Sequence, residues 1–321
     1  MLKSRLTFRL SMGLSVVIGS LLISGCSREE PILMPDSQIT RLVLDLSGSN
    51  DSLEQYKRAK SEIYRELSSN SLGNPFGANP RGPSDISLTF IMSSASRAGV
   101  QSIVPSNFGF DLFSDLKEVY GRTASQLEDD WALVLNTYSQ VLSGETPNQQ
   151  ECEAKLSQTL FERFGKDNSA EIASRICKTT NGIIDRIEQE IPSSLMPGGG
   201  SDVFGALIEI QSWAKKIKDS EPSKKIKVVF ASDMVHNADS QRDFFGAGGI
   251  LTGKLGENEV CPVAKQQALI SSLALEGINI VVIGRGNSEN LNADEADSLR
   301  IFWNCFTQAS GFEINFATEG N

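Results

Sequence analysis

Arg41-Leu-Val-Leu-Asp45 runs directly into Leu46-Ser-Gly-Ser49, and this stretch indicates the fold class. The short apolar run favours a buried strand, and the polar, glycine-containing turn marks its end. Further runs of this kind recur along the chain, at Ile86–Met92, Val100–Val104, Ile226–Ala231, Ile278–Ile283 and Phe312–Ala317. Near-continuous apolar strands that alternate with helices are typical of parallel sheets buried on both faces. The sequence therefore predicts an α/β fold with a doubly wound, mostly parallel sheet covered by helices on both faces.

Amphipathic spacing predicts helices between these strands, at Leu53–Leu67, Asp202–Ile217, Cys261–Glu276 and Ala293–Gln308. A longer helical stretch runs from about Asp111 to Ile191, with interruptions near Gly144–Pro147 and Gly165–Asn168. It forms a predicted helical insertion at about residues 111–195. One α/β domain, residues 38–321, accounts for the strands, the helices and this insertion.

The N-terminal segment has the pattern of an export signal. Lys3, Arg5 and Arg9 precede an apolar run from Leu10 to Ile23, and small residues then lead to Cys26. Ile23-Ser-Gly-Cys26 resembles a bacterial lipobox, in which the cysteine is lipid-modified and becomes the new N-terminus. An uncleaved membrane anchor is the alternative, although the apolar run is short for a membrane-spanning helix.

This resemblance divides the N-terminal region into a signal peptide, residues 1–25, and a lipidated Cys26 with a polar tether, residues 26–37. It implies a location in the bacterial cell envelope, on the periplasmic or extracytoplasmic face, with the lipid at Cys26 holding the chain to a membrane. Which membrane carries it is left open. The tether contains Pro31 and Pro35 and should be short and stiff.

The charge balance weighs against nucleic acid as a partner. Forty acidic and 30 basic residues give a net charge of −10 at pH 7, and no cluster of Lys and Arg offsets it. Such a chain repels phosphate backbones. The sequence also contains one histidine, which excludes zinc sites built from several histidines.

Apart from Cys26, the chain has four cysteines, an even number that suits an oxidising compartment. Three pairings are compatible with the sequence. We favour Cys152–Cys177, on successive helical segments, and Cys261–Cys305, which flank the last part of the chain. The chain has no Cys-x-x-Cys motif, so structural disulfides are the expected role.

Oxygen-bearing side chains follow the predicted strands where a doubly wound fold places its site, at their carboxyl ends. Asp45, Ser47 and Ser49 follow the first strand, Ser201 opens a helix, and Asp233 follows the strand Ile226–Ala231. Carboxylate and hydroxyl oxygens are the ligands that hard cations such as Mg²⁺ prefer. These five residues are the predicted metal ligands, for Mg²⁺ or Mn²⁺.

The pattern resembles the von Willebrand factor type A domain family over nearly the whole exported body. Asp45-Leu-Ser-Gly-Ser49 matches that family's DxSxS element, Ser201 lies where the family has a metal-binding threonine, and Asp233 matches its later aspartate. The resemblance implies a metal-ion-dependent adhesion site, whose cation keeps one coordination position open for a carboxylate of a protein partner. Two features depart from the family: serine replaces threonine at position 201, and the helical insertion is unusually long.

Two other segments have alternative interpretations. Pro197-Gly-Gly-Gly-Ser201 could cradle a phosphate at a helix start, although it lacks the lysine of a P-loop. The loop containing Phe244, Phe245, Ile250 and Leu251 could be an apolar partner-binding surface beside the metal site, or these side chains could pack back onto the sheet. His236 is expected to be a solvated loop residue, with a place at the rim of the site as the alternative.

Three functions follow in order of preference. The first is a membrane-tethered module, not an enzyme, that binds a protein partner through Mg²⁺. The second is a structural or scaffold module of the same fold that works without metal. The third is a metal-assisted hydrolase, for which Asp202 and His236 are the only candidate general bases.

Overall fold

A computed structural model describes residues 31–45, 67, 70–91, 102–104, 107–143, 148–190, 200–238, 243–245, 249–253, 255–284 and 291–316. The strands are β1 (Gln38–Asp45), β2 (Ser84–Ile91), β3 (Ser102–Val104), β4 (Ile226–Ala231), β5 (Ile278–Ile283) and β6 (Ile314–Phe316). The helices are α1 (Asn107–Glu118), α2 (Ala124–Ser143), α3 (Gln149–Phe164), α4 (Lys166–Glu190), α5 (Val203–Ser220), α6 (Glu257–Ser271) and α7 (Ala293–Ser310).

The strands form one sheet in the order β3-β2-β1-β4-β5-β6. Five of them are parallel, and the short edge strand β3 runs antiparallel to β2. This is the 3-2-1-4-5-6 order of a doubly wound α/β fold, so the predicted fold class is confirmed. The winding reverses between β1 and β4, and in folds of this kind ligands typically bind outside the carboxyl ends of the two strands at that reversal.

Both faces of the sheet are covered, which explains why its strands read as near-continuous apolar runs. The first core cluster joins Leu42 and Leu44 of β1 to helices α1–α4. The second core cluster joins Val43 of β1 to helices α5–α7. Since side chains alternate along a strand, Asp45 projects to the same face as Val43, the face that α5 covers.

The stretch predicted as a helical insertion contains the four helices α1–α4, of which α1 begins at Asn107. Gly165, at φ 76°, ends α3, and α4 begins at the next residue, as the predicted interruption implied. A further break between α1 and α2 was not predicted; it contains Gly121, at φ 64°. Glycine suits such a break because it adopts positive φ at little cost.

A cluster of ion pairs links the segment between α1 and α2 to helices α2 and α3. Asp130 is fully buried and pairs with Arg122, at 2.9 Å between Oδ2 and Nε, and with the Nε of Arg163. Arg122 also donates from Nη2 to the Arg163 carbonyl, at 2.6 Å. A buried carboxylate is tolerable only when paired in this way.

Both predicted disulfide pairings are present. Cys152–Cys177 joins α3 to α4 with a Cα–Cα distance of 5.9 Å, and Cys261–Cys305 joins α6 to α7 with 5.3 Å. Each bond therefore ties together two consecutive helices, one pair on each face of the sheet.

The chain from Ile32 onward belongs to one compact unit. Ile32 and Met34 pack against the first core cluster, and the amide of Gln38 donates to the Pro83 carbonyl at 2.9 Å. The last part of the predicted tether therefore packs onto the body. Within the described ranges, no helix combines the length and the apolar composition needed to cross a bilayer.

Candidate functional site

The site is built around Asp45, which ends the central strand β1 and is only 2% exposed. Its Oδ2 atom accepts a hydrogen bond from the Ser201 hydroxyl at 2.7 Å and another from the Ser232 hydroxyl, also at 2.7 Å. Three segments that are far apart in sequence therefore converge on one carboxylate oxygen. They meet at the carboxyl ends of β1 and β4, the position at which doubly wound sheets typically bind their ligands.

Ser201 lies just before α5 and is fully buried. The helix begins with Asp202 as its N-cap, which accepts from the Gly205 amide at 2.8 Å. The Ser201 amide donates to the side-chain oxygen of Asn237, and the Asn237 amide donates to the Ser201 carbonyl at 3.2 Å. The Ser201 amide is therefore committed within the protein, which argues against the alternative of a phosphate cradle at this residue.

Ser232 follows β4 and reaches Asp45 because of the strand register. Ala231, the last residue of β4, pairs with Leu44 of β1, so Ser232 comes level with Asp45. The Ser232 hydroxyl also accepts from the Met234 amide at 2.9 Å, and this bond shapes the turn after the strand. Ser232 was not among the predicted site residues; its position beside the end of β1 was the signal that could have found it.

The backbone after Ser232 is held in an unusual conformation. Met234 has φ 62°, a value that residues other than glycine seldom adopt, and its carbonyl accepts from Trp303 Nε1 of α7 at 3.0 Å. Such outliers persist only where surrounding structure enforces them, and they concentrate at functional sites.

The structure shows a direct contact between two of the five predicted ligands. Asp45 and Ser201 are in direct contact. Asp233 is buried and its Oδ1 atom accepts from the Val235 amide at 2.9 Å, within its own turn. Ser47 and Ser49 lie outside the described residues, as does the predicted lipid site, Cys26.

The chemistry of the assembled groups fits a hard divalent cation. The described part of the site offers a carboxylate and two hydroxyls, with Asp233 close by in sequence to Ser232. Oxygen donors without nitrogen or sulfur are the set that Mg²⁺ and Mn²⁺ prefer. Asp45 is also the only acidic residue on β1. This donor set is compatible with the predicted cation.

His236 is fully buried, so the expectation of a solvated loop histidine was wrong. Its ring centroid lies 4.8 Å from that of Phe204 and 6.1 Å from that of Phe244, and its Nδ1 atom lies 3.8 Å from Asp202 Oδ1. Phe204 and Phe244 belong to the second core cluster, so the His236 ring lies against that cluster and not in solvent.

The predicted apolar loop is mostly part of the core. Phe244, Ile250 and Leu251 are buried in the second core cluster, and only Phe245 is substantially exposed, at 42%. Backbone bonds close the loop, from the Phe244 amide to the His236 carbonyl at 2.9 Å and from the Leu251 amide to the Phe244 carbonyl at 2.8 Å. As the alternative interpretation stated, three of these side chains pack over the sheet and are not available to a partner.

A second polar group lies on the same face of β1, two positions before Val43. Arg41 is 2% exposed, and its guanidinium carbon lies 4.1 Å from the centre of the Trp213 ring on α5. Burial lowers the pKa of Arg41 to about 10, and the nearby Glu209 opposes this shift. The Arg41 side chain therefore lies in the middle of β1 and not at its carboxyl end, where Asp45 is.

One further cluster in the described ranges has metal-ligand composition, namely Glu257, Cys261 and Cys305. The two sulfur atoms are bonded to each other as a disulfide and are not thiolates. This cluster is therefore structural. Comparisons of the chain with models of protein families, with curated proteins and with solved structures give no match.

Proposed function

We propose that this chain is an exported lipoprotein whose body, a von Willebrand factor A-like domain, binds a protein partner through a Mg²⁺- or Mn²⁺-dependent site. The observation that carries the proposal is the convergence of Ser201 and Ser232 on Asp45 at the reversal point of the sheet. Asp45, Ser201 and, by the sequence motif, Ser47, Ser49 and Asp233 would hold the cation.

The charge of the chain also bears on the partner. The net charge is −10, so the body as a whole repels an acidic ligand. When bound, the cation supplies local positive charge and an open coordination position for a carboxylate of the partner. An acidic partner side chain would then be recognised at this edge of the sheet only while the cation is present. The membrane attachment rests on the sequence around Cys26.

A metal-independent scaffold of the same fold is the second candidate, and one observation favours it. Asp45 Oδ2 already receives two hydroxyl donors at 2.7 Å, so the buried carboxylate is stabilised without an ion. A hydrolase has less support, since His236 is enclosed by aromatic rings and Asp202 is occupied as the cap of α5.

Thermal unfolding of the purified full chain in detergent separates these candidates. The melting temperature is measured in EDTA and then with millimolar Mg²⁺ or Mn²⁺, for the wild type and Asp45→Ala. Saturation to about 100 times the dissociation constant adds about 2.7 kcal/mol, or roughly 5 °C in a domain of this size. A rise in the wild type that is lost in Asp45→Ala supports the metal site. No rise in the wild type supports the metal-independent scaffold.

Asp111→Ala is the matched control, because Asp111 is an exposed aspartate on α1 in the helical insertion. This variant should show the same metal-dependent rise as the wild type. A rise that is also lost in Asp111→Ala would mean that the cation binds diffusely to acidic residues and not at Asp45.

A further inference from the structure

Ser201 is held at two points by a single residue of another loop. Its amide donates to the Asn237 side-chain oxygen, and its carbonyl accepts from the Asn237 amide at 3.2 Å. We propose that Asn237 is a positioning residue that aims the Ser201 hydroxyl at Asp45 and thereby sets the affinity of the site for a divalent cation. The part of this inference that concerns cation affinity rests on the proposed function.

Ser201 needs such a partner because α5 does not fix its backbone. The helix begins at Val203, and the bond from the Ala206 amide to the Asp202 carbonyl, at 3.0 Å, is the first of the helical pattern. Ser201 lies one residue before the N-cap, outside the repeating hydrogen bonds of the helix. The two bonds to Asn237 therefore take the place of helical bonds at this residue.

Gly200 shows how closely the two loops approach. A Cβ atom at position 200 would lie 2.3 Å from the Asn237 carbonyl oxygen and 2.8 Å from its side-chain oxygen. These distances are far below van der Waals contact, so a residue with a side chain would force the loops apart. Glycine at position 200 and asparagine at position 237 are thus two parts of one contact.

Asn237 can influence Asp45 because both residues bind Ser201. The Ser201 amide that Asn237 binds and the Ser201 hydroxyl that donates to Asp45 belong to the same residue, so fixing the peptide limits where the hydroxyl can lie. Hydrogen bonds to a fixed group lose less entropy on forming than those to a mobile one. Asn237 does not contact Asp45 through any bond described above; its effect passes through Ser201.

The test compares two substitutions of Asn237 that are close to it in size. Asn237→Asp keeps an oxygen that can accept from the Ser201 amide, whereas Asn237→Leu keeps the branching at Cγ and the number of heavy atoms but removes the acceptor. Mn²⁺ affinity of the full chain in detergent is measured from the electron paramagnetic resonance signal of free Mn²⁺. We expect about tenfold weaker binding for Asn237→Leu, the factor that corresponds to one ordinary hydrogen bond. Asn237→Asp should stay within about threefold of the wild type.

A double variant tests whether Asn237 acts through the hydroxyl. In a Ser201→Ala background, adding Asn237→Leu should cause no further loss of Mn²⁺ affinity, since no hydroxyl remains to be positioned. Equal Mn²⁺ affinity of Asn237→Leu and the wild type would overturn the proposal. A further loss in the Ser201→Ala background would also overturn it, because Asn237 would then act by another route.

A spectroscopic measurement keeps this inference separate from the proposed function. The ¹³C resonance of the Asp45 carboxylate, recorded in EDTA on protein labelled at aspartate, reports its hydrogen bonds without any metal. It should move in Asn237→Leu towards its position in Ser201→Ala and stay unchanged in Asn237→Asp. If the wild type binds no Mn²⁺, the proposed function fails, and this resonance alone decides whether Asn237 positions Ser201. An unchanged resonance in Asn237→Leu would refute the positioning role.

Discussion

Replacing Asp45 by alanine should destabilise the protein even when no metal is present. The substitution removes the acceptor of two buried hydroxyl groups, Ser201 at 0% and Ser232 at 3% exposed, both at 2.7 Å from the same oxygen. A hydrogen bond to a charged acceptor contributes about 1.5–3 kcal/mol. Losing two such bonds would lower the free energy of unfolding by about 3–6 kcal/mol. Part of this loss is offset in the variant, because no buried carboxylate then has to be desolvated on folding.

We therefore expect Asp45→Ala to lower the free energy of unfolding by about 3 kcal/mol, which corresponds to a fall in melting temperature of about 6 °C in a domain of this size. Asp45→Asn keeps a neutral oxygen acceptor and should lose about half as much. The measurement is thermal unfolding in EDTA, followed by circular dichroism, with Asp111→Ala as the exposed control. A melting temperature for Asp45→Ala within about 1 °C of the wild type, or above it, would refute the stabilising role of these two bonds.

Three other perturbations test the surrounding structure. Asp130→Ala should cost about 1–3 kcal/mol in urea unfolding because it removes the buried partner of two partly exposed arginines, whereas the exposed Asp129→Ala should cost less than about 0.5 kcal/mol. Removing the disulfide by Cys152→Ala with Cys177→Ala opens a loop of sequence separation 25 and should lower the free energy of unfolding by about 3.5 kcal/mol; a change below about 1 kcal/mol would contradict this. Burial raises the pKa of Tyr120 from 10.0 to about 12, so the free energy of unfolding should fall as the pH rises through that interval, and Tyr120→Phe should remove this component of a pH titration.

The strands were the part of the fold most accessible to prediction. β4 and β5 begin and end where the apolar runs Ile226–Ala231 and Ile278–Ile283 do, because both lie inside the sheet with a paired strand on each side. β6 is shorter than its predicted run, Phe312–Ala317, and covers Ile314–Phe316 in the described part of the chain. An edge strand has a neighbour on one side only, so composition alone defines its ends poorly.

The helical insertion was predicted as a whole but not in its internal division. Gly165 separates two helices as expected, whereas the break at Gly121 was missed. The burial of Asp130 on the helix after that break depends on ion pairs with Arg122 and with Arg163, and Arg163 lies 33 positions away in sequence. Local periodicity carries no information on such a distant pairing.

The site was predicted in its residue types and incompletely in its contacts. The strand-end rule placed Asp45 at this edge of the sheet, and the resemblance to the von Willebrand factor type A family brought Ser201, at the start of a helix, to it; the two are in contact. Ser232 and Asn237 were missed because their roles depend on strand register and on the path of a loop. The burial of His236 was missed for a related reason, since the aromatic rings that enclose it come from two separate segments.

The packing of Ile32 and Met34 has a consequence for how the molecule would carry a mechanical load. Tension on the chain before Ile32 enters the body close to the start of β1, and Asp45 stands at the other end of that same strand. β1 is flanked by β2 and β4, both parallel to it and hydrogen-bonded along its length. A pull between the N-terminal side and a partner held at Asp45 would therefore load one central strand in shear, so that its hydrogen bonds on both sides would have to break together and not one after another.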